Sequence, residues 1–430
     1  MHAPRDLLLR SFQAAVGAAD PLGILAGFLP APAAIERYRR TLVVGAGKAA
    51  ASMAQAVERH WPAAAPLDGV VVTRYAHGLP CERISVLEAG HPVPDEAGER
   101  AAAEILVHAT QLQEDGLLLA LVSGGGSSLL SLPVASVPMA DLKAVTRALL
   151  ASGAPIQDMN VVRKHLSRIQ GGRLAQATPA RVLALMISDV AGDDPSSIAS
   201  GPCSPDPSTY AEALDILARW QVEPPTSVRE HLRRGVRGEV DETPKPGDAV
   251  FARVEQKMVA TAHGSLEAAA AVFAAAGIRP VLLGDTVTGE AREVAQVMAA
   301  IAREVVGHGQ PFARPVALIS GGECTVTIRG GGRGGRCSEF LLALARELQG
   351  TAGAWALAAD TDGIDGAEDN AGAIMTPDTM RRAAAAGLDA RRLLDDNDAY
   401  RFFATLGDLV MTGPTRTNVN DYRAILLLPD

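Results

Sequence analysis

Short apolar runs alternate with stretches of helical periodicity along almost the whole chain. The continuous runs at residues 41–44, 117–122 and 182–187 predict strands that are buried on both faces. Each run is followed by a stretch in which apolar residues recur every three or four positions, which predicts a helix. This alternation is typical of βαβ units, so the pattern predicts an α/β fold with a mainly parallel sheet.

The same pattern places the remaining elements. Further strands are predicted at 69–73, 84–88, 257–262, 279–283, 316–320, 355–359 and 424–428, with a hairpin return at 324–329. Helices are predicted at 7–16, 49–59, from Asp95 onward, and at 141–150, 161–176, 265–276 and 290–306.

A chain of 430 residues is too long for one ordinary hydrophobic core, so two domains are expected. Residues 238–248 are charged, rich in glycine and proline, and without periodicity, which makes them the best candidate for a linker. We therefore predict an N-terminal domain over residues 1–245 and a C-terminal domain over residues 246–430.

Charge and composition exclude several classes of protein. A formal net charge of −9 argues against a general nucleic-acid or membrane-surface binder, although a local basic cluster could still bind a small anion. Four scattered cysteines without C-x-x-C spacing indicate neither a zinc site nor a redox pair, and they fit a reducing cytosol. The chain has no signal-peptide pattern and no apolar run of membrane-spanning length, so a soluble cytoplasmic protein is expected.

Glycine-rich loops that follow predicted strands are the first candidates for chemistry. The loop Gly-Ala-Gly-Lys at 45–48 lies where a strand leads into a helix, and Lys48 there could reach an oxyanion. The loop resembles a dinucleotide fingerprint, but the next predicted strand ends in Arg74-Tyr75 and lacks the acidic residue that would bind the ribose of NAD. A tight turn with a solvated lysine is the alternative.

The loop Ser-Gly-Gly-Gly-Ser-Ser at 123–128 follows the best buried strand. Three successive glycines cost chain entropy, and their N–H groups can approach an anion closely, which favours a phosphate cradle over a plain connection. The pair of loops at 320–323 and 329–336 repeats this chemistry, because Arg333 and Arg336 flank glycines and a guanidinium can bind phosphate through two hydrogen bonds. A structural turn and a solvated hairpin turn are the respective alternatives.

Aspartates follow two other predicted strands. Asp189, Asp193 and Asp194 lie in the loop at 188–195, and Asp362 lies in the loop at 360–366. Carboxylates at strand ends can hold Mg²⁺ or accept a hydroxyl proton, which suits phosphoryl transfer. A helix-capping turn is the alternative for residues 188–195.

The segment at 159–168 places polar and basic side chains near one helical face, where they could bind a substrate carboxylate or could simply be a charged surface. Among the histidines only His91, in a proline-rich loop, is a candidate for a site.

Taken together, several stretches resemble the type 2 glycerate kinase family, whose C-terminal part is the MOFRL domain. They are VVGAGKA at 43–49, GHPVPDEA at 90–97, SGGGS at 123–127, NVVRKHLS at 160–167, SDVAGDD at 188–194, IASGP at 198–202, SGGE at 320–323, TDGIDG at 361–366 and TNVND at 417–421. One such stretch is a weak signal, but their order along nearly the whole chain is specific.

The resemblance implies a Rossmann-like N-terminal domain and a smaller α/β C-terminal domain, with the active site in the cleft between them. It implies ATP-dependent phosphorylation of D-glycerate to 2-phosphoglycerate, with ATP and Mg²⁺ as cofactors. Lys48 would stabilise the transferring phosphate, Arg336 would face it, and Asp189 would act as a base or a metal contact. The sequence leaves the oligomeric state open, with a homodimer as one possibility.

The remaining site residues are expected by position. Cofactor binding is expected at Gly45, Gly47, Ser123, Gly124, Gly125, Gly126, Ser127, Gly321, Gly322, Glu323, Gly334 and Gly335. Substrate binding is expected at His91, Asn160, Arg163 and Lys164, and metal binding at Asp189, Asp193 and Asp362.

The chain departs from the family pattern at two places. Cys337-Ser338 stands where the family usually has Asn-Gln, and Arg416 stands where it commonly has glycine. Both departures bear on substrate or donor preference.

Two other functions stay open at this point. Relatives of this family are often named hydroxypyruvate reductases, which would require a working NAD(P)H site. A sensor that binds a phosphorylated three-carbon acid without turnover is the second alternative, for which three charged residues of catalytic type would be excessive.

Overall fold

The computed structural model of the protein describes residues 3–349 and 351–429, in which the chain forms α-helices, short 3₁₀ helices and strands. The strands are β1 (Thr41–Ala46), β2 (Leu67–Arg74), β3 (Ile84–Ala89), β4 (Leu117–Val122), β5 (Arg181–Ile187), β6 (Val254–Ala260), β7 (Arg279–Gly284), β8 (Gly289–Glu290), β9 (Val316–Ser320), β10 (Cys324–Thr325), β11 (Ala354–Asp360), β12 (Gly372–Met375), β13 (Leu409–Val410) and β14 (Asp421–Leu427).

The α-helices are α1 (Pro4–Gly17), α2 (Pro21–Ile24), α3 (Pro32–Ile35), α4 (Ala50–His60), α5 (Glu96–Gln111), α6 (Gly126–Leu129), α7 (Met139–Ser152), α8 (Ile156–His165), α9 (Arg173–Gln176), α10 (Tyr210–Arg219), α11 (Thr226–Val236), α12 (Ala262–Ala275), α13 (Ala291–His308), α14 (Arg336–Glu347), α15 (Thr379–Ala385), α16 (Ala390–Asp395) and α17 (Ala399–Leu406). Short 3₁₀ helices lie at Leu25–Phe28, Ile198–Ser200 and Ala249–Arg253.

The chain divides into two compact units. One unit, called the N-terminal unit, is Pro21–Val259; the other, called the C-terminal unit, combines the residues up to Asp20 with those from Ala260 onward. The boundary predicted between residues 245 and 246 stays a prediction. No helix among the described residues has the length and apolar character needed to cross a membrane.

The N-terminal unit is built on a six-stranded sheet in the order β3-β2-β1-β4-β5-β6. Strands β1 to β5 pair in parallel, and β1 and β4 are buried along their whole length. Continuous apolar strands form the centre of such a sheet because helices cover both of its faces. The predicted Rossmann-like domain with a mainly parallel sheet is confirmed.

Residues 238–248, which the sequence marks as a linker, are hydrogen-bonded into the N-terminal unit. Glu242 accepts from the backbone N–H of Tyr210 at 2.9 Å and contacts the ring Nε2 of His165 at 3.2 Å. Thr243 donates to the buried carboxylate of Asp206 at 3.0 Å. Glycine and proline here shape an ordered connection rather than a free one.

One predicted helix is interrupted. The segment predicted as a helix over 161–176 forms the end of α8, a turn, and the short helix α9. Gly171 and Gly172 have φ values of +61° and +82°, which a continuing right-handed helix cannot contain. The periodicity of the flanking residues hides this break.

The C-terminal unit has a mixed sheet in the order β13-β12-β11-β14-β9-β7. Only β7 and β9 pair in parallel; the other neighbours are antiparallel. The predicted hairpin return at 324–329 is wrong, because β10 pairs in parallel with β8 outside this sheet. The predicted second α/β domain is confirmed.

Helix α1 packs into the core of the C-terminal unit although it stands at the other end of the chain. Leu8 and Phe12 are buried with Phe273 of α12 and Tyr422 of β14. The Tyr422 hydroxyl lies 2.8 Å from the Ser11 hydroxyl. This long-range packing closes the unit.

Candidate active site

The two glycine loops of the N-terminal unit leave neighbouring strands at the point where the strand order reverses. Strands β1 and β4 pair directly, and their chain directions lead the loops at 45–48 and 123–128 to the same edge of the sheet. In open α/β sheets ligands bind outside the carboxyl ends of the strands at such a point. The fold therefore brings together two loops that lie about 80 residues apart in sequence.

Direct hydrogen bonds join these loops. The N–H of Lys48 donates to the carbonyl of Gly124 at 2.8 Å, and the N–H of Ala49 donates to the Ser123 hydroxyl at 3.0 Å. Gly47, with a φ of +138°, approaches so closely that a Cβ there would lie 2.1 Å from the Ser123 Oγ. This turn fixes Lys48 immediately before helix α4, which begins at Ala50.

Gly125 leaves room for Lys48 and His91. It has a φ of +79°, and a Cβ built on it would lie 3.4 Å from Cγ of Lys48 and 3.0 Å from Cε1 of His91. The His91 ring contacts the Ser128 hydroxyl through Nδ1 at 2.7 Å. A lysine and a histidine from separate loops thus meet over one glycine.

The loop also presents backbone donors. Among the described residues, the N–H groups of Gly124 and Gly125 make no hydrogen bond, whereas the N–H of Gly126 donates to the Ser123 carbonyl. Adjacent free N–H groups beside a lysine are the arrangement that binds phosphate or carboxylate oxygens. Gly45, by contrast, lies within β1 and supports the strand pairing.

A chain of polar side chains runs from this loop to helix α8. The hydroxyls of Ser127 and Ser200 are 2.8 Å apart, Ser200 donates to Oδ1 of Asn160 at 3.1 Å, and Arg163 donates to the same oxygen at 2.6 Å. Desolvation lowers the pKa of Arg163 to about 10, so the guanidinium remains charged at neutral pH. The arrangement provides a positive charge held in place by an amide and two hydroxyls.

Lys164, expected to bind substrate, is directed elsewhere. Its ammonium lies 3.4 Å from the carboxylate of Asp206, and both side chains are buried. Coulombic attraction to Lys164, together with hydrogen bonds from Ser208, outweighs burial and lowers the pKa of Asp206. Its role in substrate binding stays a prediction, and its visible contact is a buried ion pair.

The aspartate loop at 188–195 follows β5, the neighbour of β4. Asp189 is half-buried at its start, and Asp193 has a φ of +54°. The Asp194 carboxylate accepts from the N–H of Ser196 at 3.0 Å and from the Ser196 hydroxyl at 2.7 Å. These contacts favour the helix-capping turn as the role of this residue. These hydrogen bonds outweigh burial and lower the pKa of Asp194.

In the C-terminal unit Arg336, the first residue of α14, is surrounded by carboxylates. It contacts Asp421 at 2.7 Å through Nε, Asp360 at 2.7 Å through Nη2 and Glu323 at 3.0 Å through Nη1. Burial opposes its charge, but the three carboxylates raise the pKa of Arg336 far above its ordinary value. Hydrogen bonds to Asp421 and Asp360 use two of its five N–H groups, and the contact with Glu323 is an ion pair.

The register of the mixed sheet creates this cluster. Asp360 of β11 and Asp421 of β14 are direct partners in the antiparallel pairing, so their side chains lie on one face. Arg423, two residues along, lies on the same face and contacts Asp421 at 3.2 Å. Neither Asp360 nor Asp421 was among the expected site residues, because the sequence contains no sign of which distant strands are paired.

The glycine-rich loop at 329–335 uses many of its own N–H groups internally. The N–H of Gly331 donates to the Asp396 carboxylate at 3.1 Å, and that of Arg333 donates to Asp398 at 3.1 Å. Asn397 accepts from two further N–H groups of the loop. Side chains of the segment at 396–398 thus bind N–H groups of the loop between Arg329 and Arg333, and phosphate binding at Gly334 and Gly335 stays a prediction.

Nearby aspartates cap turns. Asp365 accepts from the N–H groups of Cys337 at 2.9 Å and Ser338 at 2.8 Å, and burial raises the pKa of Asp365 to about 6. Asp362, an expected metal ligand, is buried and accepts from the N–H of Ile364 at 2.8 Å. Among the described residues, no group of three or more His, Cys, Asp or Glu side chains is arranged to hold a metal ion.

The two departures from the family pattern have distinct environments. Cys337 is buried, and Ser338 accepts from the N–H of Gly335 at 3.1 Å, so both support the first turn of α14. Arg416 has a φ of +60°, a left-handed conformation that glycine adopts without strain. The glycine common in the family therefore has a backbone reason.

The structure brings the predicted residues together as two clusters, one in each unit. The Lys48 cluster consists of Lys48, His91, Gly124, Gly125, Ser127, Asn160 and Arg163, to which the structure adds Ser128 and Ser200. The Arg336 cluster consists of Arg336 and Glu323, to which the structure adds Asp360 and Asp421.

Family models match most of the chain. The domain of unknown function DUF4147 matches residues 7–233, and the MOFRL family matches residues 316–421. A glycerate 2-kinase of Pyrococcus horikoshii is 40% identical over 384 residues, covering 89% of this chain and 86% of that protein. The chain belongs to the type 2 glycerate kinase family.

Other relatives and a solved structure agree with this membership. A protein of Agrobacterium vitis named a putative hydroxypyruvate reductase is 51% identical over 427 residues, which cover 98% of this chain and 94% of the relative. The crystal structure of a glycerate kinase from Thermotoga maritima superposes with a TM-score of 0.86 at 37% identity and covers 99% of both chains. The family and the kinase class predicted from the sequence are confirmed.

Proposed function

We propose that this protein phosphorylates D-glycerate at its C2 hydroxyl with ATP as donor. The observation that carries the proposal is the Lys48 cluster, in which Cγ of Lys48 lies 3.4 Å from a Cβ built on Gly125, next to the N–H groups of Gly124 and Gly125 that make no hydrogen bond among the described residues. The chain is 40% identical to two relatives named glycerate 2-kinase, which supports glycerate as the acceptor.

Lys48 acts on the phosphate that is transferred. In phosphoryl transfer, negative charge spreads over the equatorial oxygens of the transition state, so fixed positive charge and backbone donors stabilise it. Lys48 and the N–H groups of Gly124 and Gly125 supply both, and the hydrogen bond between Lys48 and Gly124 keeps them in register.

Arg163 and Asn160 bind the acceptor. Glycerate presents one carboxylate and two hydroxyls, which match a charged guanidinium, an amide and the hydroxyls of Ser127 and Ser200. His91, anchored on Ser128, offers a further polar contact at the same loop.

Asp189 accepts the proton of the attacking hydroxyl. A bond forms between the C2 oxygen of glycerate and the γ-phosphorus, the bond from that phosphorus to the β,γ-bridging oxygen breaks, and the hydroxyl proton passes to the Asp189 carboxylate. Its place directly after β5, beside the loop that follows β4, supports this role.

Arg336 contributes through the N–H groups that its hydrogen bonds to Asp421 and Asp360 do not use. Its truncation would also remove one ion-pair partner from each of these carboxylates, although Asp421 keeps Arg423, and losing one partner of a buried ion pair costs about 3–5 kcal/mol. The variant Arg336→Ala therefore mixes a catalytic loss with a structural one, and Lys48 gives the cleaner test.

Mg²⁺ would enter the site bound to ATP, where it would neutralise phosphate charge. Among the described residues, Asp189, Asp193 and Asp362 are not part of a group of three or more His, Cys, Asp or Glu side chains that could hold a metal ion. A magnesium ion bound to the triphosphate needs only one or two protein carboxylates, and Asp189 and Asp193 are candidates. We predict that excess EDTA abolishes turnover and that added Mg²⁺ restores it; activity that persists in EDTA would refute the need for a divalent ion.

Parallel assays with two substrate pairs test the function. D-glycerate with ATP and Mg²⁺ is followed by ADP release, and hydroxypyruvate with NADPH is followed at 340 nm. ADP release that depends on glycerate supports the kinase. NADPH oxidation alone would establish the reductase named for one relative, and binding of phosphoglycerate without turnover in either assay would establish the sensor.

A further inference from the structure

An open cavity of about 290 Å³ in the N-terminal unit lies outside the Lys48 cluster. Its lining residues are Leu106, Val134, Ser167, Arg168, Arg173, Gln176, Ala177, Tyr210 and Val240. None of these residues belongs to the Lys48 cluster or takes part in the proposed reaction. Its volume is close to the lower end of small-molecule sites, roughly 300 Å³.

Two guanidinium groups line this cavity without a carboxylate partner among the described residues. Arg168 is exposed and its side chain makes no hydrogen bond or ion pair there. Within residues 3–349 and 351–429, Arg173 hydrogen-bonds only to neutral oxygens, the Tyr210 hydroxyl at 3.4 Å and the Asp241 carbonyl at 3.3 Å. In a protein with a net charge of −9, two arginines without acidic partners in one cavity are unusual.

The other polar groups are mainly donors. The Nε of Arg173 is buried and has no hydrogen-bond partner among the described residues. Burial raises the pKa of Tyr210, so its hydroxyl stays protonated; it donates to the Asp241 carbonyl at 3.3 Å and accepts from Arg173. The Gln176 amide adds a neutral donor, while Leu106 and Val134 provide apolar wall.

We propose that this cavity binds the phosphate group of a small phosphorylated metabolite, as a site separate from the one that performs phosphoryl transfer. Guanidinium groups bind phosphate oxygens through paired hydrogen bonds, and the buried Nε of Arg173 gains the partner it lacks. The apolar wall accommodates the carbon part of the ligand.

The hydrogen bonds near the cavity link it to the loop at 123–128. Ser167, in the cavity wall, accepts from the N–H of Gln170 at 3.1 Å, and the Gln170 amide donates to the Ser127 carbonyl at 2.9 Å. A ligand that orders the segment around Arg168 therefore acts on a loop of the Lys48 cluster through one intervening residue.

Titration with inorganic phosphate by isothermal calorimetry tests the site. The proteins are the full chain, Lys48→Ala, Arg168→Gln, Arg173→Gln and the control Arg39→Gln, which removes one charge at an exposed position of the same unit outside the cavity. Acetate at equal ionic strength serves as the probe for simple charge attraction.

We expect saturable phosphate binding that persists in Lys48→Ala and Arg39→Gln and weakens about tenfold in Arg168→Gln, the value expected for one lost charged hydrogen bond. Arg168 is exposed, so this variant stays informative even where Arg173→Gln fails to fold. Binding lost in Lys48→Ala and unchanged in Arg168→Gln would assign the phosphate to the Lys48 cluster and overturn the proposal. No saturable binding, or equal binding of acetate, would overturn it as well.

Discussion

At the scale of single residues, the two basic groups that the sequence singled out have opposite surroundings. Lys48 lies beside backbone donors and a histidine, whereas Arg336 lies among three carboxylates. An arginine held in this way is rigid and partly neutralised, because its partners fix the guanidinium and cancel its charge. We therefore assign the charge that acts on the transferring phosphate to Lys48.

The substitution Lys48→Ala tests that assignment. Because its charge acts on the transition state, we expect kcat to fall about 100- to 1000-fold while KM for glycerate changes by less than about threefold. Steady-state kinetics with varied glycerate measure both constants. Lys143→Ala, which removes a lysine from helix α7 of the same unit, is the matched control and should leave kcat unchanged. A loss through KM alone would contradict the role given to Lys48.

Arg416 permits a test of backbone strain. A side chain at its φ of +60° destabilises the folded state by about 1–2 kcal/mol. Glycine avoids this strain, but it also loses more conformational entropy on folding, which offsets part of the gain. Arg416→Gly should therefore be more stable to urea than Arg416→Ala by up to about 1 kcal/mol. Both variants lose the same side-chain contacts, so their difference isolates the backbone. Equal unfolding free energies would refute the strain.

At the scale of elements, periodicity predicted most strands and helices. It failed where single glycines or the pairing of distant strands determine the structure. The strands β4 and β9 have the predicted bounds, and α5 begins directly after Asp95, whose carboxylate accepts from the N–H of Gly98. The break after α8 comes from two left-handed glycines. The pairing of β10 with β8 could not be predicted, because local sequence determines that a strand forms but not which strand it meets.

The anchoring of residues 238–248 is a prediction at this scale. Burial opposes ionisation of Glu242, but hydrogen bonds from His165, Lys245 and the Tyr210 N–H lower the pKa of Glu242 to about 2. Because the pKa of Glu242 is lower in the folded state, its ionisation stabilises the fold at pH values above the unfolded-state pKa of about 4.3. That stabilisation is lost as the pH falls toward 2.

Glu242→Gln should therefore lower the free energy of unfolding by ~1–2 kcal/mol at pH 7, a figure reduced for solvent screening because the side chain is 36% exposed. The difference from wild type should shrink at pH 3. Urea unfolding at both pH values measures it, with Glu223→Gln, a member of a surface ion pair with Arg229, as the control. A difference that is equal at pH 7 and pH 3 would contradict the anchoring by charge.

At the scale of the whole molecule, the chain order and the spatial order differ. Helix α1 belongs to the unit that is otherwise formed by residues from Ala260 onward. Its amphipathic pattern predicted the helix and its buried face, including Leu8 and Phe12, but a face that needs burial does not specify its partner. The Tyr422 and Phe273 side chains that cover it lie hundreds of residues away.

The candidate site shows the same contrast between residues that local sequence predicts and residues that distant segments bring in. Loop composition predicted Lys48, the glycines at 124–125 and Arg336, because close approach to anions requires these residue types. Ser200, Asp360 and Asp421 were missed, because they join the clusters through strand register and loop packing between distant segments. The resemblance supplied the reaction class, which the physical chemistry of the loops alone left among kinase, reductase and sensor.

The measurement that tests the central claim most directly is ³¹P NMR of the purified protein with D-glycerate, ATP and Mg²⁺. Transfer to the C2 hydroxyl predicts a new phosphomonoester resonance split into a doublet by the single proton on C2, growing as the γ-phosphate signal of ATP declines. A triplet would place the phosphate on C3 and contradict the predicted position. The absence of any new resonance, with glycerate and ATP unchanged, would contradict the kinase itself.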